Sequence, residues 1–443
     1  MKFKIVFFFL LFSIQSILGQ DGFHFVTNKS KISIPFEFIN NLIIIPIEVN
    51  GVKLNFLLDT GVESSILFSV DDSDGISFSS IEKIRIRGFG SNEAFDAYKS
   101  LHNKMSIKNY SDLDHTIYLV LDQNINISSQ IGVPVNGIIG YEFFKNDLVK
   151  IDYTSKRITV FKKSEKAINK LNKAYQKLPI EMIYGKPYLF TKTSFENSEV
   201  LMESKLLIDT GNNDALWLFS EKDKNIVIPK ATIQDFLGRG FSGDVYGKRG
   251  RIKNFKIGDF NFVNPLVAFP DTISTVEADK IKGRVGSIGS EIMRRFTSVY
   301  NYKSNEIYLQ QNSDFNDLFN FNMSGLDIQH QGLQWISEGF EEKPTISNNL
   351  FDGNGNKVIN NLRYKFELKP IYIIGNVRKD SPADLAGILK DDVIVKIDNR
   401  NGYDYTLQQI NDLLKSDEGK VIKLTIERKG KIMNLSFQLK NML

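Results

Sequence analysis

Strand-like patterning dominates the chain. Residues 32–38 alternate apolar and polar side chains, and residues 42–49 form a nearly continuous apolar run, the marks of half-buried and buried strands. Asn50-Gly51 then gives a strong hairpin-turn signal, and residues 52–58 return as a second arm that ends in Phe56-Leu57-Leu58-Asp59-Thr60-Gly61. Residues 81–87 and 117–121 follow as strands, and 149–161 as a hairpin turning at Thr154-Ser155-Lys156. Tyr141-Glu142-Phe143-Phe144, just past a glycine, predicts one helical turn. Residues 164–177 are charged, helix-prone and poor in large apolar side chains, which predicts a linker at 166–178. The expected fold class is mainly β.

The apolar run that ends in an acid occurs twice. Leu206-Leu207-Ile208-Asp209-Thr210-Gly211 repeats the first copy 150 residues later. Gly88 recurs as Gly238 at the same offset, and Gly137-Ile138-Ile139-Gly140 recurs as Gly286-Ser287-Ile288-Gly289 at 149. Ile151-Asp152-Tyr153 matches Tyr300-Asn301-Tyr302, again at 149. Landmarks held at a fixed offset over such a span mark a duplicated domain. Each Asp stands where a buried strand gives way to a glycine turn, and a carboxylate there needs a hydrogen bond or a partner. Two such acids brought together cannot both ionise; one keeps a proton while the other acts as a base.

On these residues the chain resembles the pepsin and retropepsin superfamily of aspartic proteases. That superfamily carries a doubled Asp-Thr-Gly, each followed here about 80 residues later by two mostly apolar residues and a glycine. The resemblance implies two pseudo-symmetric retropepsin-like β-barrel lobes, at 28–165 and 179–312, with Asp59 and Asp209 as the catalytic pair activating a water. It implies that Thr60, Gly61, Thr210 and Gly211 brace the pair, and that Ile139, Gly140, Ile288 and Gly289 support the two loops from behind. Gly88, Phe89 and Gly90, and in lobe two Gly240, Phe241 and Ser242, fall where flaps would cover a substrate. Val62 and Asn212 depart from the small residue usual after the glycine, which alters packing beside the acids without removing a catalytic atom. Ser64 or Ser65 is available to bond a carboxylate or cap the turn. The basic run Lys248-Arg249-Gly250-Arg251 reads as a solvated face, with a substrate-selecting rim as the alternative.

The repeat ends at Gln311. Met323-Ser324-Gly325-Leu326 resembles the loop that opens a PDZ domain, and Ser381-Pro382-Ala383 through Gly387 reads as a short helix with Pro in its first turn. Residues 405–414 predict a second helix, and 421–428 and 431–439 predict closing strands. The resemblance is to bacterial PDZ domains over 321–443, with an insertion at about 337–369 containing the turn-rich Asp352-Gly353-Asn354-Gly355-Asn356. It implies a groove for a peptide ligand, whose terminal carboxylate would meet the N–H groups of Ser324, Gly325 and Leu326.

Composition narrows the chemistry. At 443 residues, two or three domains are expected. The net charge of +4, with both signs well mixed, gives no field that calls for nucleic acid. There is no cysteine, which removes disulfides, thiol catalysis and thiolate metal sites. His24, His102, His115 and His330 lack metal-ligand spacing, so no metal or other cofactor is expected. A serine hydrolase is disfavoured because no Gly-x-Ser-x-Gly elbow occurs. Residues 1–19 have the basic start, short apolar core and small final residue of a secretory signal peptide, predicting export to a periplasmic or extracellular space without a stable membrane anchor. With both lobes in one chain, a monomer suffices. The competing expectation is a catalytically silent peptide-binding protein that keeps the protease shape.

Overall fold

The computed structural model describes residues 22–68, 75–86, 95–120, 127–195, 200–220, 225–240, 243–271, 281–341 and 362–443. The leader at 1–19, the expected flap residues Gly88, Phe89, Gly90, Phe241 and Ser242, and the stretch at 352–356 lie outside the described residues.

Each lobe is built on the same three-strand unit. In lobe one, Leu42–Val49 and Val52–Leu58 pair antiparallel around Asn50-Gly51, both at positive φ (48° and 93°), the conformation an Asn-Gly hairpin turn accepts readily. Gly137–Ile139 runs parallel along the other edge of Val52–Leu58, with Ile138 opposite Leu57. Lobe two repeats this: Lys186–Ser194 lies antiparallel and Arg284–Ile288 parallel on either side of Met202–Ile208, placing Tyr188 and Ser287 opposite Leu207. A strand flanked on both edges and covered on both faces must be apolar, which explains the Phe-Leu-Leu and Leu-Leu-Ile runs before the acids.

A further sheet joins the lobes. Leu148–Asp152 pairs antiparallel with Phe296–Asn301, so corresponding strands of the two repeats meet across the pseudo-twofold. Phe143, Phe144, Tyr300 and Tyr302 pack beside it with ring centroids 5.1 to 5.7 Å apart. The stretch expected as a linker is part of this framework. Glu165–Ala174 is a helix capped by Ser164, and Gln176–Pro179 is a strand paired with Glu306–Gln311.

Past Gln311 the chain stays fastened to lobe two. Fully buried Arg295 donates to the carbonyls of Phe315 (3.2 Å) and Leu318 (3.4 Å) and lies 3.9 Å over the Phe319 ring. Phe315 and Phe319 in turn pack on Phe262.

The C-terminal domain is a sheet of Leu326–Glu341, Leu362–Val377, Val393–Ile397, Val421–Arg428 and Lys431–Gln438, with helices Pro382–Leu385 and Leu407–Leu414. Ser381 caps the first helix, and Thr406 with Gln409 forms a capping box on the second. The described ends of the expected insertion are not loop. Leu326–Glu341 and Leu362–Val377 remain paired out to Glu341 opposite Leu362, as an antiparallel ribbon with exposed Trp335, Phe366 and Leu368.

Candidate functional site

The two Asp-Thr-Gly loops meet at the centre of the molecule and lock each other. The Thr60 hydroxyl donates to the Ile208 carbonyl (2.7 Å) and accepts from the Thr210 N–H (3.1 Å). The Thr210 hydroxyl donates to the Leu58 carbonyl (2.9 Å) and accepts from the Thr60 N–H (3.0 Å). Both threonines are buried. The grip needs a side chain that donates and accepts at once, which serine or threonine supplies.

Held this way, the carboxyls of Asp59 and Asp209 face each other closely enough for each to act on the other's charge. Asp59 Oδ1 also accepts from the Gly61 N–H (2.6 Å) and the Gly211 N–H (3.2 Å). A Cβ at Gly211 would lie 2.2 Å from Asp59 Oδ2, and one at Gly61 2.8 Å from Asp209 Oδ1, so only glycine lets the loops approach this closely. Burial and then the facing Asp209 charge push the Asp59 carboxyl far above the usual carboxylate range. Burial raises Asp209 too, opposed by Arg284, the hydrogen bond with Asp59, and Lys186.

The expected supports stand behind the loops. The Asp59 N–H donates to the Ile139 carbonyl (2.8 Å) and the Asp209 N–H to the Ile288 carbonyl (2.9 Å). Beyond Gly140 and Gly289, the chain turns into the short helices Tyr141–Phe144 and Ser290–Met293, and Ser290 Oγ donates to the Thr210 carbonyl (3.0 Å). Ser65 does not reach a carboxylate of the pair. Its hydroxyl meets His115 Nε2 (2.7 Å), and His115 Nδ1 meets Asp112 Oδ2 (2.7 Å). Burial pushes Asp112 up, but His115 outweighs it and holds the carboxyl below its usual range. This has the order of a Ser-His-Asp triad, yet all three side chains are buried, so it braces the strand after the first loop. Sequence reasoning missed it because its members come from two distant segments.

The acids face a cavity of about 810 Å³ lined by both lobes and by the C-terminal domain, including Asn322, Leu326, Ile328 and Arg378. Gly240, expected from the sequence to lie in a flap, lines it where Thr232–Gly240 pairs with Gly243–Arg251. In the basic run of this hairpin only Lys248 is exposed as a solvated face would be; the two arginines turn to partners within the chain. Arg249 is held between Asp214 (2.6 Å) and Asp235 (2.9 Å), and Arg251 donates to the carbonyls of Asn264 (3.0 Å) and Phe319 (2.9 Å). Asp235 reaches Arg378 of the C-terminal domain at 3.5 Å. On the opposite side, Asn411 donates to Asn40 of lobe one (3.0 Å). The C-terminal domain thus closes over the cleft.

The loop expected to hold a peptide carboxylate has its donors engaged within the chain. The Ser324 and Gly325 N–H groups go to Asn322 Oδ1 (3.0 and 3.2 Å), that of Leu326 to Ser324 Oγ (3.0 Å), and that of Met323 to the Leu414 carbonyl (3.0 Å). An incoming carboxylate would have to displace Asn322.

Residues 45–143 match the Aspartyl protease family and residues 373–428 the PDZ domain family. A "Probable CtpA-like serine protease" of Staphylococcus haemolyticus is 41% identical over 56 residues, 13% of this chain; the match spans only 11% of that curated relative's length. Among solved structures, the aspartic proteinase from Irpex lacteus is similar at 14% identity and a TM-score of 0.40, over 66% of this chain and 100% of that one. The chain is aspartic-protease-like and carries a PDZ domain.

The reciprocal grip makes a stability prediction. Thr60→Val or Thr210→Val orphans a buried N–H and a buried carbonyl, each costing about 1–3 kcal/mol. Each single variant should lower the denaturant midpoint, and the double variant should lose less than the sum of the two. Strict additivity would mean the two hydroxyls do not act as one unit.

Proposed function

From an aspartic-protease-like chain with a PDZ domain, we propose an endopeptidase in which Asp59 and Asp209 jointly activate a water against a peptide carbonyl. The close facing of the two buried carboxyls, enforced by the threonine grip, is the observation that carries this reading. With one proton between them, the ionised carboxyl takes a proton from the water while the protonated one hydrogen-bonds the scissile carbonyl. Attack gives a tetrahedral intermediate. Proton transfer to its nitrogen and cleavage of the C–N bond release an acid and an amine, and the pair returns to a single proton. No step requires a covalent intermediate or a metal. The cavity suits an extended peptide, with the flap hairpin and PDZ domain excluding water around it. The leader-like start supports export of the protein to a periplasmic or extracellular space.

Asp59→Asn and Asp209→Asn should each reduce peptide hydrolysis by about four orders of magnitude, and the double variant should be little worse than either single one, because the carboxyls act as a unit. Folded single variants that keep turnover would reject the assignment.

The raised Asp59 carboxyl also ties stability to pH. Burial, then Asp209, pushes it from 3.8 to about 8, so between those values the folded state keeps a proton that the unfolded chain has released. The resulting stabilisation is complete below about pH 4 and is lost as pH rises toward about 8. Denaturant unfolding should show stability falling over this window, and Asp59→Asn should flatten the fall. An equal slope in the variant would place the proton elsewhere.

A further inference from the structure

The duplicated lobes do not offer the same surface to the cavity. In lobe one, Leu42, Leu57 and Ile138 line it beside the acids and belong to an apolar cluster with Val135. In lobe two, the strand registers place Lys186 where lobe one has Leu42, two residues before the partner of Leu207. Counting back from the glycine that begins the match, Arg284 has the sequence position of Val135 in lobe one, and a bulge there sets it opposite Lys205. Lys186 and Arg284 both line the cavity and are half-buried.

Neither cation has a carboxylate bonded to it among the described residues. Arg284 is held by the Gly286 carbonyl (3.2 Å) and Ser287 Oγ (3.1 Å) and lies 5.4 Å over the Phe219 ring, which leaves its Nη1 free among those residues. Lys186 makes no ion pair there, and burial together with the Arg284 charge makes its ammonium easier to deprotonate than usual. Two like charges drawn out of water without a bonded anion are costly. The dyad, holding one proton, offers them a single negative charge, and Glu63, the weaker influence on Lys186, is exposed to water on the rim. The surplus is positive and sits on one side of the scissile position. A fixed guanidinium beside a flexible ammonium suits a carboxylate.

Building on the endopeptidase reading, we infer that Lys186 and Arg284 form an anion subsite on the lobe-two side of the cleft. It takes a carboxylate of the substrate peptide, while the lobe-one side takes an apolar side chain. The carboxylate comes from an internal Glu or Asp or from the peptide's own C-terminus, and one set of peptides separates the two sources.

The test uses full-length protein and matched peptides carrying Glu or Gln at each position flanking the scissile bond, each made with a free or an amidated C-terminus. kcat/KM should favour Glu over Gln by about tenfold at positions on one side only, or favour the free terminus by a similar factor. Lys186→Leu, which installs the lobe-one residue, should bring the favoured ratio to about one, and Arg284→Lys should lower it partway. Affinity measured on Asp59→Asn protein should show the same ordering without turnover, so the subsite is tested even if the chain does not cleave peptides. Ratios near one in both assays overturn the inference. So does a Lys186→Leu variant whose pH profile moves while its Glu/Gln ratio stays, since the cations would then act only on the dyad.

Discussion

Two carboxyl groups packed side by side inside a protein can carry only one negative charge between them. Everything around Asp59 and Asp209 serves to make that contact unavoidable. The threonines tie each loop to the strand that ends in the other acid, the glycines remove the side chains that would hold the loops apart, and the carbonyls of Ile139 and Ile288 fix the backbone from behind. The shared sheet then keeps the lobes from separating. Repulsion and desolvation at the centre are offset by hydrogen bonds and burial distributed over the rest of the fold.

Duplication repeated the scaffold and let its surroundings diverge. Lobe one braces the strand after its loop with Ser65, His115 and Asp112, whereas lobe two connects Trp217, Asp214, Arg249 and Asp235 in one chain of polar contacts. That second chain continues to Arg378, so an ion pair links the Thr232–Arg251 hairpin to the PDZ domain. A domain that the sequence suggests is an appended module is therefore one wall of the cleft, and peptide access depends on how it sits.

The mainly β architecture, the doubled loop and its glycine-bearing supports were legible because they rest on local signals: period-two alternation, an Asn-Gly turn, and a tripeptide recurring at a fixed offset. What was not legible depended on distant partners. Arg249 and Arg251 sit in a run that looks like a solvated face, and only the fold brings Asp214, Asp235 and the Phe319 carbonyl to them. The Met323–Leu326 loop has the pattern of a carboxylate cradle, but Asn322, one residue upstream, fills it. Residues 166–178 are poor in large apolar side chains and still fold, since Leu171 packs with Leu148 of lobe one and Val299 and Tyr308 of lobe two, and the strand at Gln176–Pro179 pairs with Glu306–Gln311.

In the proposed mechanism Asp59 and Asp209 address one reacting centre together. Its most direct test is a crystal structure of the full chain with a peptide whose scissile amide is replaced by a hydroxyl-bearing, uncleavable isostere. That hydroxyl should sit between the two carboxyls, within hydrogen-bonding distance of both, about 2.6–3.2 Å. A peptide seated in the cavity with its hydroxyl bound to one carboxyl alone, or to neither, would contradict it.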